Sequence, residues 1–413
     1  MTNSKRRKRL TAASALLGGV LVLTACSGSS DAADGGGDTS QAKADKAAAQ
    51  ESSEAQIKIT PADGSDNASI NNSAAVTVAK GTLTKVTMTT ADGTAVEGAI
   101  SADKTSWKPS TQLERATTYK VSASATDAKG RAAHENASFT TVAPAHSFIG
   151  SFTPDDGTTV GVGMPVSINF DKAITDKAAV QKGITVTSSS GQEVACHWFG
   201  VQRLDCRPEQ YWKENSTVTL KLDLDGVEGA QGVYGVQQKT VTFNIGRNQV
   251  SYVDAKTKQM KVTRNGKVVK TIPISAGSPE NKTYEGRMVI SEKFKETRMN
   301  GATVGFTDDD GKGEYDIKDV PHAMRLTNSG TFIHGNYWGA GVFGNANTSH
   351  GCVGLQDKKG ANDPNTPGSW FFDNSMVGDV VVVQNTGDKT VAPDNGLNGW
   401  NMSWAQWKAG SAA

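Results

Sequence analysis

The 413-residue sequence contains few of the residues that carry metal or redox chemistry, with four cysteines and six histidines. It also lacks an excess of charge, because 43 lysines and arginines are balanced by 42 aspartates and glutamates. A chain without a basic excess is not expected to bind nucleic acid. Long apolar helical periods are scarce, which argues against a mainly helical protein. Serine, threonine, glycine and valine are abundant instead, and they favour a mainly β fold.

The longest apolar run lies near the N-terminus, at positions 10–24, and follows the basic cluster KRRKR. Its length of roughly 15 residues falls short of the ~20 that span a bilayer and is typical of a secretory signal peptide. The run ends in LTAC, which resembles the lipobox of bacterial lipoproteins, where the cysteine (here Cys26) receives lipid. An ordinary signal peptide cut nearby is the alternative. We therefore predict a signal peptide over 1–26 and an exported protein, lipid-anchored to the cell membrane and facing the cell wall.

Residues 27–54 contain no aromatic residue, no proline and no large aliphatic side chain. Such a segment cannot bury enough apolar surface to fold, so a flexible tether is predicted there. After it, ITPADG at positions 59–64 recurs as FTPDDG at 152–157, a period of 93 residues. This period fits one β-sandwich of about 100 residues. Two tandem immunoglobulin-like modules are therefore predicted, over 55–144 and 145–247.

Two of the remaining cysteines, Cys196 and Cys206, lie ten residues apart on either side of Phe199-Gly200. Alternating patterns flank this pair and indicate a hairpin, which would bring the thiols together as a disulfide in an exported protein. The alternative is a zinc site, but it would need two further ligands and only His197 is near.

The pattern changes again at position 248. Short alternating segments follow, two of them joined by Asn265-Gly266, a strong hairpin signal. A short helix is predicted over Ser369–Met376 and an apolar strand over Val380–Gln384. We assign 248–386 to a third domain and 387–413 to a tryptophan-rich extension. Its tryptophans stand at positions 400, 404 and 407, which is helical spacing and predicts one face docked on the body.

The stretch HGNYWGAGVFGNANTSHGCVGL, at positions 334–355, carries the most chemistry. A metal site would use His334, His350 and Cys352, but only one residue separates the last two and no CxxC or HExxH element is present. A cysteine buried in a glycine-rich loop is a second interpretation. A nucleophilic thiol fits best, because an imidazole can take its proton and return it to a leaving amine. Backbone N–H groups at 350–352 can then face an oxyanion.

The combination SGTFIHG, then SHGCV with fourteen residues between His334 and Ser349, resembles the signature of L,D-transpeptidases with a YkuD-type catalytic domain. The VGDVVVV strand and the GWNMSWAQW tail resemble the actinobacterial members. Those members also have a lipoprotein-type N-terminus and two immunoglobulin-like modules. The resemblance thus covers nearly the whole chain and implies a mainly β protein: two sandwiches, a β-rich catalytic domain and a short C-terminal helical tail.

The resemblance implies a role for each matching position. Cys352 would be the nucleophile and His334 the general base and acid, oriented by the carbonyl of Gly335. His350 would be a supporting imidazole, and Gly351 would donate to the oxyanion together with Cys352. Ser349 matches the Ser/Thr of the motif. Tyr315 is the candidate for the family's lid tyrosine, although its spacing differs by about one residue, and further cavity walls are predicted at Met288, Phe332, Tyr337 and Trp338.

One departure stands out. Many members carry Arg or Asn two residues after the cysteine, where this chain has Gly354. A side-chain donor for the substrate is therefore missing or supplied from elsewhere.

The function implied is formation of 3→3 cross-links between peptidoglycan stem peptides, without cofactor or metal, and with carbapenem-type β-lactams as covalent inhibitors. The alternatives are an L,D-carboxypeptidase or an enzyme that attaches protein to the wall, both of the same fold. A non-catalytic lipoprotein that binds the cell wall is a further alternative.

Overall fold

The strands follow the alternating patterns of the sequence and form six sheets in the part of the chain that the structure describes. The structure is a computed structural model that describes residues 52–71 and 73–413, together with Lys43. The predicted signal peptide with Cys26, and most of the predicted tether, lie outside the described residues. None of the helices found in these ranges is long and apolar enough to cross a membrane.

The first sandwich packs a sheet of order β1-β3-β6-β5 against one of order β2-β8-β7-β4. Trp107, Tyr119 and Phe139 fill the core between the sheets. The strands are β1 Gln56–Thr60, β2 Ser65–Ala68, β3 Ala75–Ala79, β4 Thr82–Thr90, β5 Gly98–Ile100, β6 Ser106–Pro109, β7 Thr118–Thr126 and β8 Ala132–Thr141.

The last residues of the predicted tether contact this sandwich. The Ser53 hydroxyl donates to the Arg131 carbonyl at 2.9 Å, and the Glu54 carboxylate lies 3.2 Å from Lys129 Nζ and 2.9 Å from an Arg131 nitrogen. The compact unit that includes this sandwich accordingly begins at Ser53. Ser53 and Glu54, which fall within the tether predicted over 27–54, therefore belong to this unit.

The second sandwich repeats this architecture around a separate core that includes Trp198, Trp212 and Phe243. Two four-stranded sheets, β10-β12-β15-β14 and β11-β19-β16-β13, are joined by a small sheet of order β17-β18-β9. The elements are β9 Ser147–Phe148, β10 Gly150–Thr153, β11 Thr159–Val160, β12 Val166–Phe170, α1 Lys177–Lys182, β13 Ile184–Ser188, β14 Val194–Phe199, β15 Arg203–Pro208, β16 Thr217–Asp223, β17 Glu228–Ala230, β18 Val233–Gly235 and β19 Gln238–Ile245.

The predicted disulfide is confirmed. β14 and β15 form the expected hairpin, in which Cys196 lies directly opposite Cys206 and bonds to it. His197 contacts the C-terminal tail: its Nδ1 is 2.9 Å from the Trp407 carbonyl, and its ring stacks on Trp407.

The third part is a nine-stranded sheet of order β23-β28-β20-β21-β22-β27-β26-β25-β24. Its core holds mainly aliphatic side chains, together with Phe371 from a short helix, α2. The elements are β20 Gln249–Asp254, β21 Gln259–Arg264, β22 Lys267–Ser275, β23 Gly286–Val289, β24 Glu292–Asn300, β25 Asp316–Arg325, β26 Phe332–Asn336, β27 Val353–Gln356, α2 Pro367–Asp373 and β28 Val380–Gln384. Asn265-Gly266 forms the turn between β21 and β22, as predicted.

The C-terminal tail differs from the predicted single helical face. Trp400 lies in a 3₁₀ turn, Gly399–Asn401, and only Trp404 and Trp407 belong to the helix α3, Trp404–Ala409. Ser403 caps this helix with Gln406 in a capping box, and this starts a new helix after Trp400. The tail does dock on the body, where Trp407 is fully buried and donates to the Ala195 carbonyl of the second sandwich at 2.9 Å.

Candidate active site

Two neighbouring parallel strands bring the predicted base and nucleophile onto one face of the sheet. β26 pairs with β27 so that His334 lies opposite Gly354. Side chains two residues apart on a strand share a face, so Cys352 and Gly354 lie on the side of His334. Parallel strands require a crossover connection, and residues 337–352, the glycine- and asparagine-rich stretch, provide it. The local fold therefore places the two ends of the motif side by side.

A cavity of about 370 Å³ opens over this face. Its walls come from β22, β24, β25, β26, β27 and the crossover. The lining residues are Ser275, Met299, Tyr315, Ile317, Val320, His334, Asn336, Trp338, Gly339, Val342, Thr348, Ser349, His350, Cys352 and Gly354. The lining thus combines the reactive groups with apolar side chains such as Met299, Ile317 and Val342.

His334 is held in one tautomer. Its Nδ1 lies 2.8 Å from the carbonyl oxygen of Gly335, and since a carbonyl only accepts hydrogen bonds, Nδ1 must carry the proton. Nε2 is left with a lone pair and can act as a base. Burial lowers the pKa of His334 below its usual value, although the Gly335 carbonyl and the charge of Asp357 oppose this effect. The ring stacks on Trp338, with centroids 5.8 Å apart. The resting imidazole is therefore neutral at neutral pH.

Cys352 is the free thiol of the described residues and remains partly exposed at the cavity. Its Sγ lies 3.7 Å from the Gly330 carbonyl oxygen, which can accept a hydrogen bond from the thiol. Burial raises the pKa of Cys352 to about 11, against a smaller opposite effect from a backbone hydrogen bond of Phe332. The resting sulfur is therefore a thiol and needs a base to become a nucleophile.

The turn before the nucleophile is fixed by Ser349. Its hydroxyl donates to the Cys352 carbonyl at 2.6 Å and accepts from the Gly351 N–H at 3.2 Å. Gly351 has a φ of 108°, a conformation that only glycine adopts without strain. The predicted oxyanion donor at Gly351 is thus engaged by Ser349 in this state and is available to an oxyanion only when that contact opens.

His350 faces the outer wall of the cavity. Its Nε2 lies 3.0 Å from a Glu314 carboxylate oxygen, and its ring packs against Tyr315 and Phe306 at 5.0 and 5.4 Å between centroids. Burial raises the pKa of Tyr315 to about 12, so its hydroxyl stays protonated. His350 therefore joins the motif to the segment that carries Tyr315 and does not contact Cys352 through a hydrogen bond.

Comparison with known proteins shows the family to which the chain belongs. A family model of the L,D-transpeptidase catalytic domain (YkuD) matches residues 248–383, and a bacterial Ig domain model matches 65–228. L,D-transpeptidase 2 of Mycobacterium tuberculosis is 34% identical over 357 residues, which make up 86% of this chain and 85% of that protein. The chain belongs to the L,D-transpeptidase family.

Further relatives are more distant. L,D-transpeptidase 5 of Mycobacterium tuberculosis is 30% identical over 364 residues, covering 86% of this chain and 77% of that protein. A solved structure of the LD transpeptidase LdtMt1 in complex with imipenem is 28% identical, covers 58% of this chain and 100% of that chain, and superposes with a TM-score of 0.48.

Three predicted wall residues of this L,D-transpeptidase family member lie elsewhere. Met288 is fully buried in the core of the third domain, on strand β23 and opposite Val381 of the neighbouring strand β28. Phe332 is buried beneath the Arg325 guanidinium, 4.6 Å from its ring. Tyr337 donates to Asp319 at 2.6 Å and does not line the cavity. These three side chains therefore do not line this cavity, whereas Trp338, Tyr315 and Ser349 do.

The site also contains residues that the sequence reasoning missed. Asn336 lines the cavity two residues after His334, and the period of two in a strand would have placed it there. Buried Asp357 accepts from His322 at 2.7 Å and from Thr366 at 2.8 Å beneath Gly335, and no local sequence signal indicates this cluster. Within the described residues, no group of three or more His, Cys, Asp or Glu could hold a metal ion.

Proposed function

We propose that this chain forms 3→3 peptidoglycan cross-links through a thioester on Cys352. The observation that carries the proposal is the juxtaposition of a neutral His334, with Nε2 free, and a protonated Cys352 in one cavity. Such a pair can generate a thiolate at the moment of attack and needs no cofactor. Membership of the L,D-transpeptidase family supports the substrate class.

The reaction has two acyl transfers. His334 Nε2 takes the thiol proton while Sγ attacks the amide carbonyl carbon at the L-centre of meso-diaminopimelate in a tetrapeptide stem. The C–S bond forms, the C–N bond breaks, and His334 gives the proton to the departing D-Ala amine. The side-chain amine of a second stem then attacks the thioester. His334 takes its proton and returns it to the sulfur as the C–S bond breaks, which yields the cross-link.

One assay tests this function. Ser53–Ala413 is one compact unit that contains all three hydrophobic cores, so it is the soluble form to use. It is incubated with disaccharide-tetrapeptides and the products are analysed by mass. Dimers formed with loss of D-Ala are expected from wild type, and none from Cys352→Ala. Tripeptide alone would indicate a carboxypeptidase, and identical products from both proteins would refute the role of Cys352.

Inhibition by carbapenems follows from the same chemistry. Attack of the Cys352 thiolate on the strained β-lactam carbonyl would open the ring and leave a thioester, with no leaving group lost. The intact mass of Ser53–Ala413 is therefore expected to rise by the full mass of the carbapenem, and Cys352→Ala to show no adduct. An unmodified wild-type protein after prolonged incubation would refute this part of the proposal.

The cellular location is also a proposal. The basic cluster, the apolar run and the lipobox-like end at Cys26 support export and lipid anchoring, and the Cys196–Cys206 disulfide supports an oxidising compartment. Labelled palmitate is expected to be incorporated into the full-length chain in cells and not into Cys26→Ser. Equal labelling of the two proteins would place the lipid elsewhere.

A further inference from the structure

Asn336 has an unusual position beside the reactive pair. It lies two residues after His334 on β26, just as Gly354 lies two residues after Cys352 on β27, so all four share the face beneath the cavity. A Cβ atom added at Gly354 would lie 3.5 Å from Asn336 Nδ2. The side-chain amide of Asn336 therefore occupies the space next to Gly354 that a longer residue there would use.

The orientation of this amide is fixed by the backbone that follows it. Asn336 Oδ1 accepts from the N–H groups of Trp338 and Gly339, at 2.9 and 2.8 Å. Because an N–H group cannot donate to an amide nitrogen, the oxygen must be the atom that faces these two donors. Among the described residues, Nδ2 donates no hydrogen bond, since the contacts of this amide run through Oδ1. A clamped amide thus presents two unused N–H donors in the cavity.

Unused donors in a partly buried cavity favour a ligand that brings acceptor oxygens, because an unpaired polar group loses hydrogen bonds to water when the cavity fills. The acyl-donor stem carries such oxygens as peptide carbonyls and carboxylates on both sides of the attacked bond. The amide lies two residues along β26 from His334, and His334 lies opposite Gly354 on β27. It is therefore placed to contact a neighbouring oxygen of the stem while the thiol attacks.

We propose that Asn336 is a substrate-binding residue, whose Nδ2 donates to a carbonyl or carboxylate oxygen of the acyl-donor stem and replaces a side chain absent at Gly354. This inference rests on the proposed transpeptidase function. It explains how a chain with glycine at position 354 retains a side-chain hydrogen-bond donor near the nucleophile. The donor, Asn336 Nδ2, comes from β26 and lies next to Gly354 on β27. The Ser275 carbonyl oxygen lies 3.6 Å from the same Cβ position, and a carbonyl oxygen only accepts hydrogen bonds.

The test uses Ser53–Ala413 and four variants, with the rate of acyl-enzyme formation from a disaccharide-tetrapeptide followed by mass. Asn336→Asp keeps the Oδ1 acceptor for the Trp338 and Gly339 N–H groups and removes the donor. Asn336→Ala removes both. Asn336→Ala/Gly354→Asn returns an amide from β27. Asn345→Ala is the matched control, because Asn345 lies in the same crossover, donates to the Gly341 carbonyl and does not line the cavity.

We expect the second-order acylation rate constant to fall about tenfold in Asn336→Asp and Asn336→Ala. The loss should appear mainly as a higher concentration of disaccharide-tetrapeptide at half-maximal rate. The reason is that Asn336 would contact the stem before as well as during attack by the thiol. The double variant should recover most of the loss, and Asn345→Ala should match wild type. A carboxylate partner would make Asn336→Asp slower than Asn336→Ala through repulsion, whereas a carbonyl partner would leave the two similar.

Two results would overturn the inference. If Asn336→Asp were acylated at the wild-type rate, Asn336 would act only by holding the turn at Trp338 and Gly339 and not by donating to the substrate. Failure of the double variant to recover, when its Cys352 is alkylated by iodoacetamide at the wild-type rate, would show that an amide in this space does not bind substrate. Absence of acylation in the wild type would instead refute the proposed function itself, so the two failures are distinguishable.

Discussion

At the scale of single residues, the reactive pair rests without charge. Burial raises the pKa of Cys352 and lowers that of His334, so the pair is thiol and imidazole at neutral pH and not thiolate and imidazolium. A buried ion pair would need further hydrogen bonds to offset desolvation. The neutral pair avoids that cost and forms the thiolate only while a substrate carbonyl is present to receive the electrons.

This protonation state predicts two different pH profiles. Alkylation of Cys352 by iodoacetamide, without substrate, should rise about tenfold per pH unit toward the thiol pKa of about 11. Acylation by a tetrapeptide should need only neutral His334, so kcat/KM should fall as pH decreases through the pKa of His334, with a midpoint below about 6.5. Both rates are measured from intact mass on Ser53–Ala413, with Cys352→Ala as the unlabelled control. Alkylation that stays fast and constant down to pH 6 would reveal a preformed thiolate.

At the scale of elements, the strand that carries His334 rests on a buried carboxylate. A Cβ atom added at Gly335 would lie 2.1 Å from Asp357 Oδ2, and one at Gly368 of α2 would be equally close. Asp357 in turn binds His322, Thr366 and the N–H of Lys358. β26, β27 and α2 therefore meet at one carboxylate, and glycine at 335 lets the backbone approach it.

A matched pair of substitutions tests this packing. Gly335→Ala must displace Asp357 or β26, and we expect a loss of about 1–3 kcal/mol in the free energy of unfolding together with a loss of acylation. Gly354→Ala, on the adjacent strand, meets only ordinary contacts at 3.5 Å or more and should unfold like wild type. Urea unfolding followed by fluorescence measures both. Equal stability of the two variants would show that Asp357 can move aside freely.

The same strands show what the sequence can and cannot predict. The motif predicts His334 and Cys352 as the reactive residues, but their common face depends on the pairing of His334 with Gly354 across β26 and β27. Met288 and Phe332 also lie on strands, but which face of a strand is core depends on what packs there: the core of the third domain in one case, the Arg325 guanidinium in the other. The Asp357 cluster joins residues 35 positions apart, and no local pattern encodes that contact.

At the scale of the whole molecule, hydrogen bonds and shared core residues connect the second sandwich to the transpeptidase domain. The N–H groups of Gly161 and Gly163 donate to the carbonyls of Val377 and Gly378, at 2.8 and 2.9 Å. Trp400 Nε1 donates to the Gly163 carbonyl at 2.6 Å, and the core of the sandwich includes Trp400 and Val289. The cavity is thus held at a fixed position relative to this sandwich.

The tail makes this connection in a way that the tryptophan spacing only partly predicts. Docking was expected from three aromatic rings on one helical face. Instead, a new helix begins after Ser403, so Trp400 does not share a helix with Trp404 and Trp407. The Arg207 guanidinium lies 4.6 Å from the Trp400 ring and 4.3 Å from the Trp407 ring. The spacing of the tryptophans predicts that their rings are buried together. It cannot predict that Arg207, from a strand distant in sequence, packs against these rings.

If Trp400 joins the two domains, its removal should uncouple them. Trp400→Ala leaves a large void and an unpaired Gly163 carbonyl, and we expect it to cost about 3–5 kcal/mol of unfolding free energy. Calorimetry of wild type should show the sandwich and the transpeptidase domain unfolding together, and the variant should show them separating into two transitions. Trp338→Ala is the matched control, since that ring is 43% exposed and packs in neither core, and it should leave the calorimetric profile unchanged. A variant that unfolds like wild type would mean that the glycine contacts alone hold the domains together.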